Sequence, residues 1–453
     1  MTTQSSPAAT QVISPSEPAS GRKTPNKWKN LAAITGVEVV DNTEAGAINT
    51  IFPAIAAAMK LDSSHLGLLS ALGKIVSVPF GPAWVWVGDR YGRKAALIAT
   101  TVTGGLFGIG SAFSQDFIQL LILNTLMSAA LIGGAPITNA IIADSFGDSQ
   151  RGKATGYYYG ILTAVSSFIG PVLALFTGSP DGWRWGMAAL GGLCIFAAFI
   201  ITWLYTDPGV GTSEKQFAGL PEQALLKSKA TFKSVMSLFR IPSFSIMMLS
   251  RLLSGHLLIA IFGIQFLVHE RGFTNAVAAV VLIPFGVAYV IGTFSSGIAV
   301  SWLDKIMPHT GRVLFIQLAQ IGFATAAFFG TQFVLGDITA YTVFWALMGF
   351  TQGMNPPVNR PIVMSTVLPE LRGQAFAIFL TVFQTIGWAM FALSAGWLAK
   401  SFGIEGVFLW VLVGLMIVNA IVLAALYWTY PRDARRVTDE LERRRNVALA
   451  SNN

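Results

Sequence analysis

Cysteine is almost missing: Cys194 is the only one in 453 residues, which excludes an internal disulfide and argues against a cysteine-built metal centre. Histidine is nearly as scarce. Of the four, His65, His269 and His309 fall in or beside expected loops. A catalytic metal needs several converging ligands, so neither a metal nor a cofactor is expected. Charge is the most telling shortage: only 11% of residues are Asp, Glu, Lys or Arg, against 53% hydrophobic, and the mean hydropathy is +0.60. A water-soluble domain cannot cover its surface with so few charges, so lipid must solvate most of the exterior. Also lacking are the alternating segments of about ten residues that membrane barrel strands require. Residues 1–27 have no apolar core and no small-residue cleavage site, which argues against a cleaved signal peptide and for a disordered tail.

What the chain does have is long apolar runs. A helix needs roughly 20 apolar residues to cross a bilayer. Such runs place spans at 31–58, 64–87, 92–113, 117–143, 153–178, 184–205, 242–269, 275–302, 311–332, 338–364, 373–399 and 405–429. The expected fold is all-α integral membrane, with twelve transmembrane helices in two pseudo-symmetric bundles of six. The layout is a cytoplasmic tail over 1–30, bundles over 31–206 and 242–429, a central cytoplasmic loop over 207–241, and a basic tail over 430–453. With these spans the cations sort by side. Only Lys60, Arg184, Arg271 and Lys400 fall opposite the termini, and Lys74, Arg251 and Arg360 fall within spans; the other Lys and Arg lie on the side of the termini. The positive-inside rule puts both ends in the cytoplasm of an inner-membrane protein, so the pI near 9.6 reflects topology and no nucleic-acid partner is expected.

The halves repeat. Shifting the sequence by 221 aligns Asp116 with Asp337, Pro136 with Pro357, Arg151-Gly152 with Arg372-Gly373, and Gly182 with Gly403. Parallel halves of this kind suit a transporter that rocks one bundle against the other.

The loop after span 2 reads Gly88-Asp89-Arg90-Tyr91-Gly92-Arg93-Lys94. Gly92 gives the reversal its backbone freedom, and the cations hold the loop on their side. The string resembles the signature loop of the major facilitator superfamily, G-x-x-x-D-R-x-G-R-R/K, with Val85 in place of the leading glycine. A decayed copy, Trp302-Leu303-Asp304-Lys305 with Gly311-Arg312, follows span 8. Spans 4 and 5 also resemble spinster-type carriers and their bacterial relatives, although Asn124 and Leu131 stand where those carry Arg and Glu. The resemblance implies that Asp89, Arg90, Gly92 and Arg93, with Asp144 below span 4, form an ionic latch favouring the outward-open state.

Ionisable groups at membrane depth are costly and are functional candidates by default. On span 1, Glu38, Asp41, Asn42 and Asn49 share a face about 100° wide, while Glu44 is turned about 120° from Glu38. Lys74, roughly 15 Å deep on span 2, calls for a carboxylate partner on span 1. Arg251 suits an anionic substrate group or compensates the span 1 acids; His256 is a proton carrier or a packed, hydrogen-bonded side chain. Pro356 and Pro357 interrupt span 10 and form a hinge or a static kink. Tyr157, Tyr158 and Tyr159 read as interfacial anchors, and Gly170-Pro171 as a faint echo of a drug-efflux motif. The expected activity is secondary active transport of a small organic solute, an anion or a zwitterion, by a monomer using alternating access and a coupling proton. A multidrug or lipid-like efflux carrier of the same superfamily remains open, as does a membrane-embedded receptor. No enzyme site is expected, because no nucleophile–base pair or ligand cluster is present.

Overall fold

Every regular element among the described residues is helical, and the helices make twelve passes. The computed structural model describes residues 26–61, 63–174, 181–217 and 230–450. Most of the expected N-terminal tail, together with Lys227 and Lys229, lies outside them. The passes are α1 (Lys27–Met59), α2 (Ser63–Ser77 and Phe80–Tyr91), α3 (Arg93–Ala112), α4 (Phe117–Leu131 and Gly134–Ser145), α5 (Asp148–Ala174) and α6 (Gly182–Leu204). After a connecting segment come α7 (Pro242–Leu252 and Leu257–His269), α8 (Asn275–Ile306), α9 (Thr310–Gln332) and α10 (Ile338–Gly353 and Pro356–Thr366). α11 starts at Arg372–Ala377, and the run Phe383–Phe408 turns a corner at Gly403 (φ 69°) into α12, which continues through Leu415–Ala424 and Leu426–Ala450.

Side-chain caps set several starts. Asn26 accepts from the amides of Trp28 and Lys29, Asp116 from Gln119, and Thr274 from Val277, each satisfying donors that a helix N-terminus leaves open. Eight stretches among the described residues are individually long and apolar enough to span a bilayer, and the two pieces of α2, bent by 42°, make a ninth. The passes that fail this test are α1, α5 and α10. Acids break the apolar run of α1 and the prolines that of α10, while α5 opens on Asp148, Arg151 and Lys153 and has side chains outside those described. These three carry polar groups inward, which is why composition alone underrates them.

Packing is asymmetric across the thickness of the protein. Near the termini a single core joins both halves, with Val37, Val85 and Ile137 packed in one cluster with Val300, Ile362 and Phe376. Toward the opposite face the core divides. Ile48, Ile51, Leu69 and Trp183 belong to one cluster, and Phe266, Phe323, Trp345 and Phe408 to another. Lipid is as apolar as these side chains, so close packing and small residues hold the helices together. α5 and α8 meet backbone to backbone at Gly156 and Gly297. The halves are therefore closed on the side of the termini and separate on the other.

Within the basic tail, residues 430–450 continue the Leu426–Ala450 helix. Tyr430, Ala434, Val437 and Leu441 recur at helical spacing and are buried; Val437 and Leu441 pack with Phe217 of the segment joining the halves. Arg444 then pairs with Glu370 at 3.0 Å.

Candidate functional site

A cavity of about 300 Å³ lies between the halves. α1 supplies Glu38, Asp41 and Asn42, α2 supplies Ser70 and Lys74, and α4 supplies Asn124 and Ser128. From the second half come Leu257, Leu380, Gln384, Thr385 and Trp388. The helical face predicted for Glu38 and Asp41 is thus the one that lines it. Glu44 points elsewhere, into the first bundle.

Each α1 acid is buried and met by neutral donors. Thr138 Oγ1 and Tyr158 OH donate to Glu38, both at 3.1 Å. Thr101 Oγ1 donates to Asp41 at 2.7 Å, and Cys194 Sγ to Glu44 at 2.6 Å. Room for Glu44 depends on α3: a Cβ at Gly108 would collide with its Oε1. No ion pair among the described residues involves these three acids. The carboxylate partner expected for Lys74 is likewise not found there. Its Nζ sits over the ring of Trp388 on α11, 4.0 Å from the centroid, so the second half supplies an aromatic face instead of an acid.

Two arginines of the second half flank this cavity wall. Arg251 on α7 donates to Gln384 Oε1 at 2.6 Å, and its guanidinium lies 5.6 Å from the Phe379 ring centroid. Arg360 on α10 approaches the same ring at 5.8 Å, stacks on Tyr159 at 4.4 Å and donates to Asn359. They are only 8% and 6% exposed, each Nε lacks an acceptor, and neither joins an ion pair among the described residues. In the sequence Arg360 falls within a span beside the prolines of the expected hinge, and nothing there gives it a role of its own. Tyr158 and Tyr159, expected as membrane anchors, instead meet Glu38 and Arg360, the first through its hydroxyl and the second through its ring. His256 sits in the break of α7 as a packed side chain, its ring 6.2 Å from Phe323 and its Nδ1 without a partner.

On the side of the termini the halves are tied by ion pairs. Arg93 meets Asp144 at 2.6 Å, and Arg372, from the other half, meets the same carboxylate at 3.0 Å. Arg372 and Arg151 also share Glu214 of the joining segment, at 2.6 and 2.7 Å. Burial alone would push the Glu214 carboxyl up, but these two guanidinium groups outweigh it and hold it below its usual value. Arg312 pairs with Asp304 at 2.5 Å and crosses to Asp148 at 2.9 Å. The sequence repeat is visible here: Arg151 Nε donates to Ala143 O and Arg372 Nε to Met364 O, equivalent atoms under the same shift of 221.

Of the residues expected in the latch, Arg93 and Asp144 are joined directly. Gly92 makes the turn at φ 99°, Asp89 is partly buried at the end of α2, and Arg90 points outward over Trp86 and Tyr91. Val85, standing where the signature has glycine, finds its complement opposite. A Cβ at Gly373 would lie 2.7 Å from Val85 Cγ1, so the close approach of α2 and α11 is preserved with the small residue moved across. Pro356 and Pro357 follow the break in α10 and are fully packed; the side chains of the Gly170-Pro171 pair lie outside those described.

The sequence profile described as Major Facilitator Superfamily matches residues 37–334 and 309–451. The chain belongs to that superfamily. Among similar proteins, the efflux pump FUB11 of Gibberella moniliformis is 30% identical over 189 residues, 39% of this chain but only 30% of the pump. The 3-(3-hydroxy-phenyl)propionate transporter of Escherichia coli is 25% identical over 284 residues, covering 61% of this chain and 65% of that protein. Multidrug resistance protein MdtG of Yersinia enterocolitica is 25% identical over 361 residues, 76% and 81% respectively. In fold, the proton:xylose symporter XylE matches with a TM-score of 0.69 at 15% identity, covering 88% of this chain and 95% of the symporter. A bacterial homologue of the lysosomal transporter Spinster matches at 0.56 and 17%, covering 92% and 99%. This major facilitator is accordingly a multi-pass membrane protein with the twelve-helix fold, and the chain spans less than a third of the length of the fungal pumps it matches.

Proposed function

We propose that this transporter is a secondary carrier that moves a small organic anion by alternating access, with a proton held on the α1 acids as the coupling ion. The observation that carries the proposal is the unmatched cationic wall. Arg251 is buried behind the cavity-lining Gln384 with Arg360 beside it at the Phe379 ring, Lys74 lines the cavity itself, and among the described residues no carboxylate pairs with any of the three. Buried cations without counter-charge are expensive, and an incoming carboxylate removes that cost while gaining charge-assisted hydrogen bonds. Phe379, Tyr159 and Trp388 supply flat apolar surface beside the cations, which favours an anion bearing a ring. The E. coli relative named for an aromatic carboxylate agrees with this chemistry. The closed face is the cytoplasmic one on the positive-inside argument, both termini lie there, and the carrier rests outward-facing in the inner membrane as a monomer holding one whole cavity.

The apolar lining from Ile48, Leu69, Leu131 and Leu380 favours a second reading, efflux of a broad set of amphiphiles, as the names of FUB11 and MdtG suggest for those proteins. Flux into proteoliposomes decides. Uptake of an aromatic carboxylate driven by an inward proton gradient, and not competed by cationic or neutral amphiphiles, supports the first. Competition by uncharged drugs with equal potency would favour the second, and ligand binding without flux would point to a receptor.

A further inference from the structure

We propose that the surface groove under the C-terminal helix is a binding site for the headgroup of an anionic phospholipid from the leaflet on the side of the termini. The inference is independent of the transport reading. The groove has a volume of about 950 Å³ and is lined by Arg240, Arg432, Arg435, Arg436 and Arg443, with Trp428 at its edge. The acids nearby do not neutralise it. Asp433 is buried and accepts from the Ser243 amide at 2.9 Å, and Glu440 is engaged by Arg443 and Arg444 at 2.8 and 2.7 Å, leaving Asp439. Arg240, Arg432, Arg435 and Arg436 are exposed and make no ion pair among the described residues.

Position selects lipid over a soluble anion. The apolar stretch of α12 ends at Ala424, and four residues later Trp428 is 72% exposed, where an interfacial tryptophan belongs. Beside it, the short helix Phe232–Met236 and the turn Ser237–Arg240 expose Phe232 (81%), Met236 and Phe239 at a spacing of four and three residues. That makes an apolar stripe at the level where α7 begins. Acyl chains can lie along this stripe while the phosphate enters the arginine groove, and clustered arginines just beyond a span are attracted to anionic leaflets.

The test uses the full-length protein in neutral detergent and follows its thermal unfolding with added phosphatidylglycerol, phosphatidylcholine or inorganic phosphate. Phosphatidylglycerol should raise the midpoint, while the other two leave it unchanged. Arg240→Gln/Arg432→Gln/Arg435→Gln/Arg436→Gln should lose the shift, with affinity falling about fivefold per arginine removed. The corresponding four lysine replacements should keep it. If the quadruple glutamine variant does not fold, the pairs Arg240→Gln/Arg432→Gln and Arg435→Gln/Arg436→Gln should each weaken the lipid effect. Equal shifts from the neutral lipid, protection by phosphate alone, or an undiminished response in the glutamine variants would each overturn the proposal.

Discussion

Replacing Arg372 with Gln should open the closed face, driving the protein out of the outward-facing state proposed above. The side chain is fully buried on the closed face and reaches Asp144 of the first half, Glu214 of the joining segment and the carbonyl of Met364 on its own half. Removing one partner of a buried ion pair costs about 3–5 kcal/mol when the remaining charge is stranded, and the lower end applies here because Asp144 keeps Arg93 and Glu214 keeps Arg151. That penalty is specific to the closed face: once the halves part there, water hydrates Asp144 and Glu214. A bias of about 3 kcal/mol multiplies the inward-open to outward-open ratio by about a hundred. The assay exploits the single native cysteine, Cys194, which is buried. A second one in place of Val85, packed against Gly373 at the α2–α11 contact, reports opening through its maleimide labelling rate from the side of the termini. Labelling should accelerate strongly in Val85→Cys/Arg372→Gln relative to Val85→Cys. Identical rates in two equally well-folded proteins would refute the view that this network holds the halves closed.

Glu214→Gln should open the same gate to a smaller degree, since Asp144 keeps both arginines. Because the folded Glu214 carboxyl lies below its ordinary value of 4.5, its contribution is fully present above that value and fades only as pH falls below it. Labelling of Val85→Cys in the otherwise native protein should therefore be flat from about pH 6 to 8, and a midpoint near 6 would contradict the assignment. Arg251→Gln and Arg360→Gln should each raise the KM for an organic anion by about tenfold or more, the worth of a charged hydrogen bond, while leaving thermal stability equal or higher. Unchanged flux kinetics would remove the pair from substrate binding. Gly108→Ala should destabilise the protein by about 1–3 kcal/mol, because its Cβ displaces the buried Glu44 carboxyl; a midpoint of unfolding equal to the native one would mean that Glu44 has room to move.

The twelve passes and the repeat were legible because lipid imposes one strong rule, long apolar helices, and because side preference of Lys and Arg is a property of composition. The inward direction of Glu38 and Asp41 followed from helical periodicity alone. What periodicity could not supply was the partner across the cavity. Lys74 called for an acid on α1, yet its neighbour is Trp388, more than 300 positions along the chain, and only the packing of the halves brings them together. Arg360 was visible as a charge within a span, but its meaning depends on Arg251 sharing the Phe379 ring. The C-terminal helix was missed for a different reason. Its many arginines mask an apolar series, Tyr430, Ala434, Val437 and Leu441, whose docking partner Phe217 lies in the joining segment.

The distribution of charge between the halves gives the proposed coupling a physical form. The first half brings Glu38, Asp41 and Lys74 to the cavity wall, and the second buries Arg251 and Arg360 behind its Gln384, with no ion pair between these acids and cations among the described residues. When Asp41 is ionised, its field across the cavity offsets part of the charge on Arg251 and Arg360, and an arriving carboxylate meets a weaker attraction. When Asp41 takes up a proton, the arginines are left for the substrate. Proton and anion then favour each other's binding, and linkage requires the effect to be mutual. The affinity of the purified transporter for an organic anion should tighten as pH falls, and anion binding should draw protons from solution. Asp41→Asn should fix the protein in the high-affinity form, abolishing the pH dependence and gradient-driven accumulation while anion exchange persists. An Asn variant that still binds more tightly at low pH, or still accumulates substrate against its gradient, would exclude Asp41 as the coupling group and leave Glu38, the other cavity-lining acid, to be tested in its place.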